Sequence, residues 1–172
     1  MISTELRPQV DALMAEYAAA LDECRYENWL DLFDEQASYV LQARENFDNN
    51  LPLATMRMES KGMMRDRIYG IENTLFHQPY YQRHVIGVSR PVMPPTMLPG
   101  QLDRADASEQ VSAMGAQANY AVFRTRANGL SEVFNVGRYL MQLVSTNDGL
   151  KLRRMHVIFD SELVPNSVIY PV

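Results

Sequence analysis

Apolar residues fall at helical spacing in the first part of the chain and alternate with polar ones in the second. Across Pro8 to Leu21, the positions Val10, Leu13, Met14, Tyr17 and Leu21 share one stripe while Asp11, Glu16 and Asp22 lie elsewhere on the wheel, which predicts an amphipathic helix. A shorter helix is predicted through Glu27 to Phe33, with Trp29, Leu32 and Phe33 on one face, so that the two form a hairpin. Ala37 to Ala43 reads as a strand, Arg44 to Asn50 as a polar connection and Ala54 to Glu59 as a second strand. Lys61 to Ile71 then predicts a third helix: Met64, Ile68 and Ile71 form its apolar stripe, and Arg65, Asp66 and Arg67 charge the remainder. Pro79 closes that unit.

From Tyr80 onward the period is two. Tyr81 to Ser89, Val111 to Arg126, Glu132 to Ser145 and Leu150 to Asp160 all read as strands. Asn128-Gly129 and Asp148-Gly149 are dipeptides that accept positive φ in tight turns, so the last three strands are expected to be antiparallel neighbours. Pro91 to Glu109 contains Pro91, Pro94, Pro95 and Pro99, which suits neither helix nor ladder pairing, and is read as a long surface loop. Helices first and a long antiparallel sheet afterwards predict an α+β fold with the N-terminal helices packed on one face of a curved sheet. A chain of 172 residues, 47% of them hydrophobic, fits one domain spanning residues 1–172.

Charge narrows the partners. A formal net charge of -5 leaves no basic footprint for phosphate, which sets nucleic acid aside. Acidic, basic or amide side chains interrupt each apolar run well short of the ~18 residues a membrane span requires, so no membrane partner is expected. The single cysteine, Cys24, has no internal disulfide partner, and the expected compartment is a reducing cytoplasm. Cys24 itself is read as a packed thiol near the end of the first helix.

Little in the sequence carries chemistry on its own. His77, His84 and His156 with Asp66 or Asp160 have the residue types of a two-histidine, one-carboxylate metal site, but their spacing forms no helical pair or short ligand run and favours ordinary structural histidines. A Rieske cluster requires two cysteines and two histidines in short pairs, and one cysteine cannot supply them. The sharper enzymatic reading is a stand-alone dehydratase or isomerase, in which a cone-shaped α+β fold gathers Asp34, Tyr39, His84 and Tyr120 around a pocket as acid and base groups. The blander one is a satisfied polar network on the sheet. Eleven methionines are many for this length, and Met56, Met58, Met63, Met64, Met93 and Met97 suit either core filling or a subunit interface. A glycine-rich phosphate loop, a Gly-x-Ser-x-Gly elbow and a His-Glu-x-x-His helix are all missing from the sequence.

A series of motifs in fixed order does resemble a known family. Trp29-Leu30-Asp31-Leu32-Phe33, Arg44-Glu45-Asn46-Phe47-Asp48, Leu51-Pro52-Leu53, the run Glu59 to Gly70 and Tyr80-Tyr81-Gln82-Arg83-His84 come first. Asn119 to Thr125, Gly137-Arg138-Tyr139, Leu150 to Arg154 and Pro165 to Pro171 follow. Together they resemble the small (beta) subunits of Rieske-type aromatic-ring-hydroxylating oxygenases, nearly end to end. The stretch Arg44 to Leu53 and the tail Pro165 to Pro171 are similar to the branch acting on carboxylated arenes, salicylate 5-hydroxylase small subunits in particular, whereas the Pro-rich insertion Pro94 to Asp106 departs from it.

The resemblance implies a cone-like fold of the nuclear-transport-factor-2 type and a non-catalytic role, bracing a large (alpha) subunit in an α3β3 hexamer. The large subunit would hold the Rieske 2Fe-2S cluster and the mononuclear iron and take electrons from a ferredoxin and reductase, while this chain would hold no cofactor, metal or catalytic residue. Arg67, Tyr81, Arg83 and Tyr120, from their places in the matched motifs, are the candidate subunit-interface residues.

Overall fold

The computed structural model describes residues 6–92, 114–163 and 168–172. Helix α1 spans Arg7–Asp22, and α2 spans Tyr26–Asp31. Between them the chain turns sharply in a Schellman-type cap: Arg25 N–H donates to the Ala20 carbonyl at 2.8 Å and Cys24 N–H to that of Leu21 at 3.2 Å. Cys24 takes the left-handed conformation this cap demands, with φ of 55°, and lies exposed instead of packed, because a residue past the last turn points away from the buried stripe. The second helix also ends sooner than its apolar face suggests. Phe33 belongs to strand β1, Phe33–Ala43, and reaches the core from there.

The polar stretch after β1 is not all connection, for Arg44–Asp48 forms the short helix α3. Strand β2, Met56–Met58, follows. Helix α4, Lys61–Asn73, begins at Ser60, whose hydroxyl accepts from Met63 N–H at 3.2 Å and satisfies one of the free first-turn donors. Lys61 anchors this helix to β1, its ammonium donating to the Phe33 carbonyl and to Glu35, each at 2.9 Å. The remaining strands are β3 (Tyr80–Ile86), β4 (Arg90–Val92), β5 (Met114–Arg126), β6 (Glu132–Thr146) and β7 (Gly149–Phe159). Pro91, expected in a loop, sits in β4 opposite Ala116, a short edge strand that tolerates a missing donor. Most of the predicted loop, residues 93–109, lies outside the described residues, as do Met93 and Met97.

The sheet runs β2-β1-β7-β6-β5-β3, with β4 also on β5. The meander β5-β6-β7 is antiparallel, as the two turn dipeptides predict, with positive φ falling on Asn128 in one turn and on Gly149 in the other. One pairing the local pattern does not encode is parallel: β1 lies beside β7, with Tyr39 opposite Met155 and Leu41 opposite Val157. Paired in this way the two strands are covered on both faces, and Val40, Gln42, His156 and Ile158 are buried as well as Tyr39, Leu41, Met155 and Val157.

Helices α1, α2 and α4 cover one face, giving the expected cone-like α+β architecture. Tyr17, Trp29, Phe33, Tyr39 and Tyr139 are all fully buried between them and the sheet. Met56, Met58 and Met64 join this core instead of a surface. Along the β3 edge, two carboxylates of α1 take up backbone donors: Asp22 accepts from His84 N–H at 3.0 Å, and Asp11 accepts from Ser89 N–H at 2.9 Å. An edge that would otherwise invite pairing is thereby covered.

Candidate functional site

The inside of the cone is occupied by the chain itself. Val172 is fully buried, and its carbonyl oxygen accepts from the hydroxyls of Tyr17, on α1, and Tyr39, on β1, each at 2.9 Å. Its N–H donates back to the Tyr39 oxygen at 3.0 Å. Gln82 of β3 donates to the Pro171 carbonyl at 3.2 Å, and Arg67 of α4 donates to those of Val168 and Ile169 at 3.1 and 2.7 Å. The Tyr170 ring lies against Tyr80 and Tyr26, with centroids 4.7 and 6.3 Å away, and its hydroxyl meets His77 Nε2 at 2.7 Å.

Of the four acid-base candidates, three join one aromatic cluster. The Tyr17 ring makes edge contacts with Trp29, Tyr139 and His84 at 6.2, 5.8 and 6.5 Å, Tyr39 packs on Trp29, and Tyr120 stacks on Tyr139 at 4.2 Å. His84 Nδ1 lies 2.6 Å from the Asp22 carboxylate, and the Tyr120 hydroxyl donates to Asn135. Asp34 is held instead by Arg153, with contacts at 2.7 and 2.6 Å. Burial drives the Tyr39 and Tyr120 hydroxyls above the ordinary phenol range, so both stay protonated at neutral pH. The space a small substrate would need next to Tyr39 holds Val172. These side chains form one packed aromatic and polar network, in which His84 Nε2 and Tyr139 Oη are buried with no hydrogen-bond partner among the described residues.

The histidines are equally dispersed. His156, on β7, shares a hydrogen bond of 2.9 Å with Gln42 Oε1 and meets the Phe47 ring edge-on at 5.2 Å. Since the Gln42 amide nitrogen donates to the Leu51 and Leu53 carbonyls, its oxygen must accept, which places a proton on His156 Nε2. Burial, aided by Arg57 and Arg138, lowers the His156 pKa to about 4. Among the described residues, no group of three or more His, Cys, Asp or Glu is arranged to hold a metal ion.

The outward face of β3, β5 and β6 is the more open feature. Tyr81, Arg83 and Val85 project from β3 at 76%, 72% (side chain) and 56% exposure. They sit opposite Thr125, Phe123 and Ala121 of β5, and Val133 and Val136 extend the face onto β6. Sequence reasoning singled out Tyr81 and Arg83 but not their valine neighbours, although strict alternation along β3 contains that signal. Arg67 and Tyr120 lie elsewhere, the first gripping the closing segment and the second 3% exposed in the core. A cavity of about 280 Å³ borders this face, lined in part by Arg44, Arg138 and Asp160.

Comparison with known proteins agrees with the architecture. Residues 16–166 match the model of the family described as "Ring hydroxylating beta subunit". The small subunit of anthranilate 1,2-dioxygenase from Burkholderia cepacia is 26% identical over 164 residues, covering 95% of this chain and 92% of that one. Among solved structures, the beta subunit of a candidate aromatic-ring-hydroxylating dioxygenase from Novosphingobium aromaticivorans superposes with a TM-score of 0.80 at 27% identity, covering all of both chains. Naphthalene 1,2-dioxygenase with bound indole gives 0.74 at 14% identity over 99% of this chain and 87% of that one, a likeness of fold.

Proposed function

Since this chain belongs to the ring-hydroxylating beta subunit family, we propose that it is the non-catalytic small subunit of a Rieske-type oxygenase, acting as one domain that braces an iron-containing large subunit. The match of residues 16–166 to that family carries the reading, and the occupied interior supports it. A small subunit of this kind leaves the 2Fe-2S cluster, the mononuclear iron and the exchange of electrons with ferredoxin and reductase to its partner. It works in the cytoplasm, in an α3β3 hexamer. The substrate is a carboxylated arene of the salicylate type; the relative named for anthranilate, itself an arene carboxylate, supports that class.

The outward face of β3, β5 and β6 is the surface proposed to meet the large subunit. It combines aromatic, aliphatic and arginine side chains, the composition of protein interfaces, and permanent hetero-complexes commonly bury more than ~2,000 Å². Tyr81 and Arg83 would make contact directly, whereas Arg67 and Tyr120 would act by fixing the closing segment and the sheet behind them. Purifying the chain alone and co-expressed with its large subunit, then measuring iron and ring hydroxylation under a reductase system, tests the proposal. Iron and activity are expected only in the mixed complex, and a lone chain that binds iron or hydroxylates salicylate would overturn it.

A further inference from the structure

The segment Val168–Val172 is buried, apart from a half-buried Ile169, without being part of any helix or strand. Strands in this sheet satisfy their backbone through ladders, but this segment is held by side chains. Tyr17, Tyr39, Gln82 and Arg67, drawn from α1, β1, β3 and α4, donate to four of its carbonyls, and Tyr39 takes its last N–H. Aromatic rings close on Tyr170 from Tyr26, Tyr80 and His77. Side chains reading a backbone and a ring from several elements is how proteins recognise a peptide, with anchors in pockets and main-chain hydrogen bonds to fix register. Among the described residues, Arg67 Nε and Gln82 Oε1, on two of the side chains that hold the segment, are buried with no hydrogen-bond partner, so the wall carries more hydrogen-bonding capacity than the segment uses.

We propose that the cone interior is a peptide-binding site whose resident ligand is the chain's own Val168–Val172, and that the same segment supplied as a separate molecule binds there. The chemistry it selects is a short apolar peptide with an aromatic ring two residues before a carbonyl acceptor, the ring entering between Tyr26 and Tyr80 and the acceptor reaching Tyr17 and Tyr39. Val172, fully buried, supplies that acceptor here.

The test uses the full chain. A protease recognition sequence is inserted after Leu163, which is 81% exposed, and the protein is cut only after it has folded. The nonapeptide Val164–Val172 is then exchanged against a fluorescent synthetic copy. Retention of the cut segment on gel filtration, saturable one-to-one binding of the labelled peptide, and at least tenfold weaker binding in Tyr39→Phe, with a scrambled nonapeptide inert, are the expected results. Tyr39→Phe keeps the ring volume and removes both hydrogen bonds to Val172. A cut protein that keeps its melting temperature once stripped of peptide and takes up none would overturn the proposal. So would one that unfolds on cutting and is not restored by added peptide, or equal binding by wild type and Tyr39→Phe.

Discussion

Cys24 takes a left-handed backbone that costs an L-residue roughly 1–2 kcal/mol, and it lies exposed. Cys24→Gly removes that strain and gives back part of the gain to the unfolded chain, leaving a net stabilisation of about 0.5–1 kcal/mol. Urea unfolding should record the increase, and a decrease would mean the thiol supports the α1–α2 turn. His156 offers a test by pH. Its folded pKa, about 4, lies below the ordinary 6.5, so the unfolded chain binds more protons between those values. The contribution is therefore fully present above pH 6.5 and disappears as pH falls toward 4, and at about 1.36 kcal/mol per pKa unit it is on the order of 3 kcal/mol. His156→Gln, which cannot titrate, should flatten stability against pH in that window; an unchanged slope would assign the loss to other groups. At this scale the sequence is a poor guide. A lone cysteine after a helix shows its residue type but not its φ, and nothing in the order of residues places Gln42 beside His156.

Among the elements, hairpins were readable and long-range pairings were not. Asn128-Gly129 and Asp148-Gly149 announce the β5-β6-β7 meander because their turn chemistry is local. The parallel contact of β1 with β7 has no local signature, and α3 hides in a stretch too short and polar to show a period. Gly137, on β6, marks how closely the meander packs. A Cβ there would stand 2.0 Å from the Ile158 carbonyl oxygen and 2.8 Å from the Phe159 Cα, both backbone atoms that cannot swing aside. Gly137→Ala is expected to cost about 3 kcal/mol or more, visible as a lowered melting temperature, and near-neutral behaviour would require the β6-β7 pairing to be looser than this. The β3 face predicts a different pattern. Tyr81→Ala should leave the stability of the lone chain within about 0.5 kcal/mol of wild type, since it is exposed, whereas Arg83→Ala also removes an ion pair of 3.6 Å to the buried Asp22 and should cost on the order of 1 kcal/mol. Each should weaken co-purification with the large subunit, by on the order of thirtyfold if the residue is a hot spot. Full complex yield with either variant would remove that face from the interface.

For the molecule as a whole, the division into helices and sheet followed from periodicity, and the family resemblance followed from the order of motifs. What fills the cone did not, because Val168–Val172 shows no period at all and its role depends on side chains from four distant elements. Assembly should register in hydrogen exchange: amides of β3, β5 and β6 are expected to gain protection in the mixed complex, and those of α1, already packed on the sheet, to change little. If α1 alone gained protection, the partner would sit on the helical side. The parallel pairing of β1 and β7 also bears on how the chain is made. Gln42 and His156 are 114 residues apart, so at about 5–20 residues per second a ribosome takes on the order of ten seconds to deliver the second after the first. Throughout that interval β1 has a bare flank where β7 belongs, and the middle of the sheet cannot close. Contacts this distant in sequence also slow the search after release. The subunit is thus born late as a folded object: nascent chains spend their synthesis time with a sticky strand uncovered, and a large subunit can meet a finished partner only after translation has run nearly to the end of this sequence.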